Sequence, residues 1–94
     1  MTLSIGDSVW IPCDVTHGVF PDERNVSIAW EAGRWVGYVD VRYLREEITD
    51  GRTAIRATVM EASHDEISAR LPGQMTHHQY LRLRGTERSG VQEI

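Results

Sequence analysis

The chain has 94 residues, of which 40% are hydrophobic and 26% are charged, and its formal net charge at pH 7 is −4. A chain of this length supports one hydrophobic core, and its negative charge disfavours sequence-independent nucleic-acid binding, which depends on cationic side chains. It contains no apolar run long enough for a membrane helix, and residues 1–7 lack the basic and apolar segments of a signal peptide. We therefore expect a cytoplasmic protein.

All ten basic residues are arginine and none is lysine. A GC-rich genome favours arginine codons over lysine codons, which explains the bias better than selection for guanidinium chemistry at every position. The composition predicts a high-GC bacterial source or a phage of such a host. The single cysteine, Cys13, cannot form an internal disulfide, and strand alternation predicts that it is a small apolar filler of the core.

The first predicted strand covers residues 9–15. Val9, Ile11, Cys13 and Val15 alternate with polar positions and should face the core, which turns Trp10 outward. Proline has no N–H to donate to a ladder, so the proline at position 12 predicts an edge strand or a bulge. Residues 16–24, with glycine and proline breakers, are expected to form a long first loop.

A hairpin is predicted next, with strands at residues 25–31 and 34–39 joined by a turn at Ala32 and Gly33. Val26, Ile28 and Trp30 share the inward parity of the first of these strands. Residues 40–44 are too few for an α-helix and are interpreted as a single 3₁₀ turn.

A second alternating hairpin, residues 53–71, follows and ends at Pro72 and Gly73. Its apolar row of Ile67, Ala69 and Leu71 needs a cover, because an isolated two-stranded hairpin is marginal in water. The hairpin extends the barrel, makes a six-stranded variant, or pairs with a second copy. Residues 74–94 are expected to be a partly disordered C-terminal segment, with one candidate strand at 80–84.

Gly37, Tyr38 and Val39, followed after three residues by Tyr43 and Leu44, resemble the "GWVxxxYL" segment of the bacterial Src-homology-3-like family. The resemblance covers roughly the first half of the chain. It implies a mostly β, small Src-homology-3-like barrel in residues 1–73, closed by a short 3₁₀ turn with a core tyrosine. The additional hairpin, 53–71, departs from that pattern. The segments GDSVWIPCDV and GVFPDERNVSI also look similar to small actinobacteriophage proteins.

Candidate binding residues lie in the first loop. Asp22 and Glu23 stand beside Arg24, and in the eukaryotic relatives an acidic stretch here recognises basic ligands. The alternatives are a solvated loop, or Arg24 acting as a tether by pairing with a carboxylate. Trp10 and Phe20 would add aromatic contacts, although Trp10 is equally expected to lie under the loop or the C-terminal segment.

Catalytic signatures are missing from the sequence: it has no nucleophile elbow, no phosphate-binding glycine loop and no paired carboxylates at a recognisable spacing. The histidines His17, His64, His77 and His78 lack the spacing of a zinc site. We therefore expect neither an enzyme nor a bound cofactor.

The expected function is non-catalytic binding by a phage-encoded or high-GC bacterial accessory protein, whose partner is a host protein. Homodimerisation through residues 53–71 is a further expectation. The alternative is a nucleic-acid-associated barrel, which would require basic side chains to cluster with an exposed aromatic; the arginines concerned are Arg24, Arg34, Arg42, Arg82 and Arg84. A cell-wall-binding role is disfavoured by the missing signal peptide.

Overall fold

The computed structural model describes residues 3–30, 33–75, 80–84 and 90–94, and within them the side chains of Trp30, Gln74 and Met75 are excepted. The described residues form one mostly β domain with a single 3₁₀ turn. The elements are β1 (Ser8–His17), β2 (Glu23–Trp30), β3 (Gly33–Asp40), the 3₁₀ turn (Val41–Tyr43), β4 (Gly51–Ala62), β5 (Glu66–Arg70), β6 (Gln74–Met75), β7 (Tyr80–Arg84) and β8 (Gln92–Glu93). The predicted strands and the predicted 3₁₀ turn are confirmed. The predicted core position of Trp30, the turn at Ala32, and His77 and His78 lie outside the description.

All eight strands belong to one sheet with the order β6-β3-β2-β1-β4-β5-β7, and β8 pairs with β1. The first strand is therefore central rather than an edge strand. It pairs with β4 from Ser8 to Val15, while β2 joins its other side only from Asp14 onward and β8 covers Val9 and Trp10. Pro12 lies between these two partners, where the missing N–H of proline is tolerated.

The sheet is strongly curled. Arg70 ends β5 and Gln74 begins β6, and these two strands stand five positions apart in the sheet. A flat sheet would separate them by about 24 Å, whereas the four chain steps between the two residues span at most about 14 Å. The link 71–73 is therefore possible only because the sheet bends round and brings the end of β5 close to β3.

The core fills the concave face of this sheet. Val9, Ile11, Cys13 and Val15 are each at most 2% exposed, which confirms the predicted alternation. The apolar residues of the remaining strands complete one buried cluster, including Val26, Ile28, Trp35, Val39, Leu44, Ile55, Val59, Leu81 and Leu83.

The closing turn differs from the expectation in one respect. Asp40 caps the turn by accepting a hydrogen bond from the Arg42 N–H, at 2.9 Å. Leu44 is buried and bridges to Ile55 on β4, but Tyr43 is only half-buried against the core. The predicted core tyrosine therefore lies at the edge of the core, which leaves part of its ring available to solvent.

The second hairpin is part of the sheet. β4 pairs with β1, and β5 pairs with β7, with a β-bulge between Val59 and Glu61. Ile67, Ala69 and Leu71 are fully buried in the common core. The chain itself thus covers the apolar row, so the reason for expecting a dimer through residues 53–71 no longer applies.

The last part of the chain adds further strands. β6 pairs with β3, and β7 pairs with β5. The strands after position 73 therefore belong to the same sheet as those before it. Gln92 and Glu93 form β8, where the sequence predicted disorder. These two residues form a strand because they pair with β1. Since β1 is about 80 positions away in the sequence, the residues around 92 and 93 give no local sign of this pairing.

Candidate functional site

The first loop is shorter than predicted, because β1 continues to His17 and β2 begins at Glu23. The Gly18 N–H donates to the carbonyl oxygen of Glu23 at 3.1 Å, and the Glu23 N–H donates to that of Phe20 at 3.0 Å. These bonds tighten residues 18–22 into a compact tip. Val19 and Phe20 stand on it, 86% and 63% exposed.

Arg24 fastens this loop to the rest of the domain. Its Nε donates to the carbonyl oxygen of Ile48 at 2.8 Å, and its Nη1 donates to those of Pro21 and Glu23 at 2.8 and 2.9 Å. The predicted tether therefore exists, but its acceptors are carbonyl groups, and no carboxylate of the described residues takes part. Arg24 therefore positions the loop.

The loop also docks on the 3₁₀ turn. The carbonyl oxygen of Asp22 accepts a hydrogen bond from the Val41 N–H at 2.8 Å, and Glu23 Oε1 accepts one from the Val19 N–H at 3.1 Å. The backbone of Asp22 thus holds the loop on the turn, and Asp22 also lines the adjoining groove.

That groove, about 310 Å³ in volume, runs between the loop, β3 and the 3₁₀ turn. Its lining combines three carboxylates with three aromatic rings: Phe20, Asp22, Glu23, Tyr38, Asp40 and Tyr43, with Val39 and Gly73 completing the floor. We call it the acidic aromatic groove. Tyr38 is 48% exposed, and the Arg42 guanidinium lies 5.1 Å from the ring centre of Tyr43 at the rim. Such a site presents ring faces and negative charge together, the pairing that attracts cations.

Trp10 does not join this site. It lies opposite Arg56 on β4 and Gln92 on β8, is partly exposed, and lines a separate shallow pocket with Arg45 and Arg52. Of the predicted binding residues, the structure brings together Phe20, Asp22 and Glu23 in the groove, with Arg24 behind them as their support.

Five lining residues were not among the predicted binding residues: Tyr38, Val39, Asp40, Tyr43 and Gly73. Alternation along β3 gives a signal for Tyr38, because Trp35 and Val39 face inward and Tyr38 has the opposite parity. Asp40 and Tyr43 belong to the short turn, whose position beside the first loop depends on the three-dimensional fold.

The arginines named for the nucleic-acid alternative are mostly paired. Arg34 lies 4.0 Å from Asp14, and Arg82 and Arg84 lie 2.9 and 3.7 Å from Glu66. Arg24 contacts carbonyl groups, and Arg42 stacks on Tyr43. Three of the five named arginines thus have a carboxylate partner, which counts against the nucleic-acid alternative.

Reactive groups are sparse in the described part of the chain. Residues 3–30, 33–75, 80–84 and 90–94 hold no group of three or more potential metal ligands, and none of their helical residues form a segment able to cross a membrane. Burial raises the pKa of the Cys13 thiol to about 12, with Asp14 adding to the effect. The thiol is therefore protonated and unreactive at neutral pH.

Comparisons of the chain with protein-family models, with curated proteins and with solved structures gave no match.

Proposed function

We propose that the protein is a non-catalytic binding protein whose acidic aromatic groove takes a segment of a partner protein with a basic side chain next to an apolar one. The observation that carries the proposal is the lining of the groove, in which three acidic residues lie among three aromatic residues. The capped 3₁₀ turn after β3 supports a relation to the Src-homology-3-like barrels, as the resemblance implies. A bacterial host protein is the partner we propose, for an accessory protein of phage or high-GC bacterial origin.

The chemistry of the groove favours an arginine or lysine of the partner. The stem of either side chain can lie over Phe20 and Tyr38 while its charged head reaches Asp22. Exposed aromatics on a rigid strand lose little conformational entropy on binding, and such residues dominate binding energy at interfaces. The net charge of −4 would also speed encounter with a basic partner.

The test uses short labelled peptides in fluorescence anisotropy: one with arginine and leucine residues, and a second with glutamate in place of each arginine. We expect saturable binding of the basic peptide, which weakens as salt is raised, and none of the acidic peptide. Asp22→Asn and Phe20→Ala should each weaken binding about tenfold, equivalent to about 1.4 kcal/mol. Asp22→Asn keeps the backbone carbonyl that docks the loop.

Glu61→Gln is the matched control, because it removes one negative charge from the exposed end of β4, away from the groove. It should bind as the unaltered protein does. If Glu61→Gln and Asp22→Asn weakened peptide binding equally, the effect would come from net charge alone. If Phe20→Ala left peptide binding unchanged, the groove would be excluded as the binding site.

A further inference from the structure

A second pocket, about 540 Å³ in volume, adjoins the acidic aromatic groove across Tyr43 and Gly73. It lies where part of β4 has no hydrogen-bonded neighbouring strand among the described residues on the side of β5. Leu44 bridges to β4 at Ile55, and β5 pairs with β4 only from Thr58 onward. The stretch between these two contacts lines the pocket, together with the end of β5 and the start of β1.

The lining of this second pocket has the opposite charge. It carries Arg56 and Arg70, with the hydroxyl groups of Ser8, Thr58 and Tyr43, and none of its lining residues is acidic. Arg56 stands opposite Trp10, and Arg70 stands opposite Thr58 on one side and Tyr80 on the other. The cross-strand neighbours of both arginines are therefore neutral.

Several other arginines have a carboxylate partner. Arg52 lies 3.2 Å from Asp14, Arg45 lies 3.1 Å from Glu46, and Arg82 lies 2.9 Å from Glu66. Neither Arg56 nor Arg70 has a carboxylate within 4.0 Å in the part of the chain that the structure describes. In a chain with 14 acidic and 10 basic residues, two neighbouring arginines without a carboxylate partner among the described residues are unexpected.

Strand register sets the distance between the two cations. Thr58 pairs with Arg70, and Arg56 precedes Thr58 by two positions on the same face of β4. Such diagonal neighbours are about 7–8 Å apart at Cα, so two long side chains can converge on one ligand between them. The two positive charges repel each other at this spacing, and the attraction of both to a bound anion would offset that repulsion.

We propose that this second pocket binds a phosphate group. Two guanidinium forks match the double negative charge of a phosphate dianion and can each bond two of its oxygens. The hydroxyls of Ser8, Thr58 and Tyr43 supply further donors for the remaining lone pairs. The proposal does not depend on the function proposed for the acidic aromatic groove, because Arg56 and Arg70 do not line that groove.

The experiment is an NMR titration of ¹⁵N-labelled protein with inorganic phosphate, phosphoserine and acetate in separate arms. We expect saturable shifts confined to the backbone around residues 56–58 and 70–73 with both phosphate probes, and binding of acetate at least about tenfold weaker, since it offers half the charge. Phosphoserine should bind less tightly once the pH falls below about 6, where its dianion takes up a proton. Tighter binding of phosphoserine than of inorganic phosphate would assign the site to a phosphorylated residue, and the reverse order to free phosphate.

The variants are Arg56→Gln and Arg70→Gln, with Arg52→Gln as the control because it removes the same charge from an arginine paired with Asp14. Each pocket variant should weaken phosphate binding about tenfold or more, and the control should leave it unchanged. Urea denaturation of each variant verifies that it is folded. Equal weakening in Arg52→Gln, acetate binding as tight as phosphate binding, or shifts spread over the whole surface would each overturn the proposal.

Discussion

Gly73 lies against Val39 so closely that a β-carbon on the glycine would come within 2.5 Å of Cγ1 of Val39 and of the carbonyl oxygen of Tyr38. Its φ of +79° is also one that side chains disfavour. This contact is where the link from β5 reaches β3, and Gly73 borders both pockets. A residue without a side chain therefore stands where the link meets β3 and where the two pockets adjoin.

Replacing Gly73 with alanine should destabilise the fold. The strained backbone costs about 1–2 kcal/mol, and relief of the overlap with β3 adds about 1–3 kcal/mol. Gly6→Ala is the control, because Gly6 has a φ of +94° but no atom within 4 Å of the added carbon. Urea denaturation should show the larger loss for Gly73→Ala, and equal losses would contradict the close contact.

Arg24 should prove a stabilising residue. Arg24→Ala removes hydrogen bonds from a charged donor to three carbonyl groups, each bond of this kind being worth about 1.5–3 kcal/mol where it is shielded from water. Arg24→Lys should restore little, because one ammonium lacks the fork that reaches carbonyls on two segments. Arg42→Ala is the control, since it keeps the backbone N–H that caps the turn and removes a guanidinium whose contact with Tyr43 is at the surface. A full rescue by lysine, measured as the urea midpoint, would refute the tether.

The strands could be predicted because alternation is a local signal. Cys13 and Val15 face the core because they lie an even number of positions from Val9 on the same strand. The same two-residue period predicted that Val26 and Ile28 are buried. The length of the first loop could not be predicted, because the extra pairs such as His17 with Arg24 form only once β2 lies alongside β1. A composition typical of loops does not exclude a ladder.

The candidate site could be predicted only in part, for a related reason. Asp22 and Glu23 are adjacent in the sequence, so their shared charge was evident, whereas Asp40 and Tyr43 meet them through the packing of the loop on the turn. The alternation along β1 correctly predicted that Trp10 faces outward, but it did not predict which pocket of the curled sheet Trp10 lines. Which outer residues share a pocket depends on curvature, and curvature depends on contacts between distant segments.

The second hairpin is expected to be a structural wall of the monomer. Leu71→Ala should cost about 2–5 kcal/mol, because Leu71 is fully buried. Val19→Ala, at a position 86% exposed, should leave the urea midpoint unchanged. Light scattering should give a mass of 10.7 kDa at every concentration tried. A mass that doubles with concentration would show a dimer, formed at a surface other than this buried row.

Cys13 should make the stability of the fold depend on alkaline pH. Its side chain is 1% exposed, and its pKa is raised from 9.0 to about 12, chiefly by burial. Above pH 9 the unfolded chain loses the thiol proton while the folded chain keeps it, so the unfolded state is favoured as pH rises. The stabilisation is complete below pH 9 and is lost towards pH 12, at no more than about 1.4 kcal/mol per pH unit.

Urea denaturation of the unaltered protein and of Cys13→Ala over this pH range isolates the effect. The alanine variant is less stable at neutral pH because it leaves a cavity, but its free energy of unfolding should fall less steeply with pH. The difference between the two slopes belongs to the thiol, since the tyrosines and arginines titrate in both proteins. Alkylation by iodoacetamide provides a second measurement, because it requires the thiolate and an open path to it. In native buffer the thiol should react far more slowly than in urea, in proportion to the small unfolded population. Labelling as fast as in urea would show that Cys13 is accessible in the folded state.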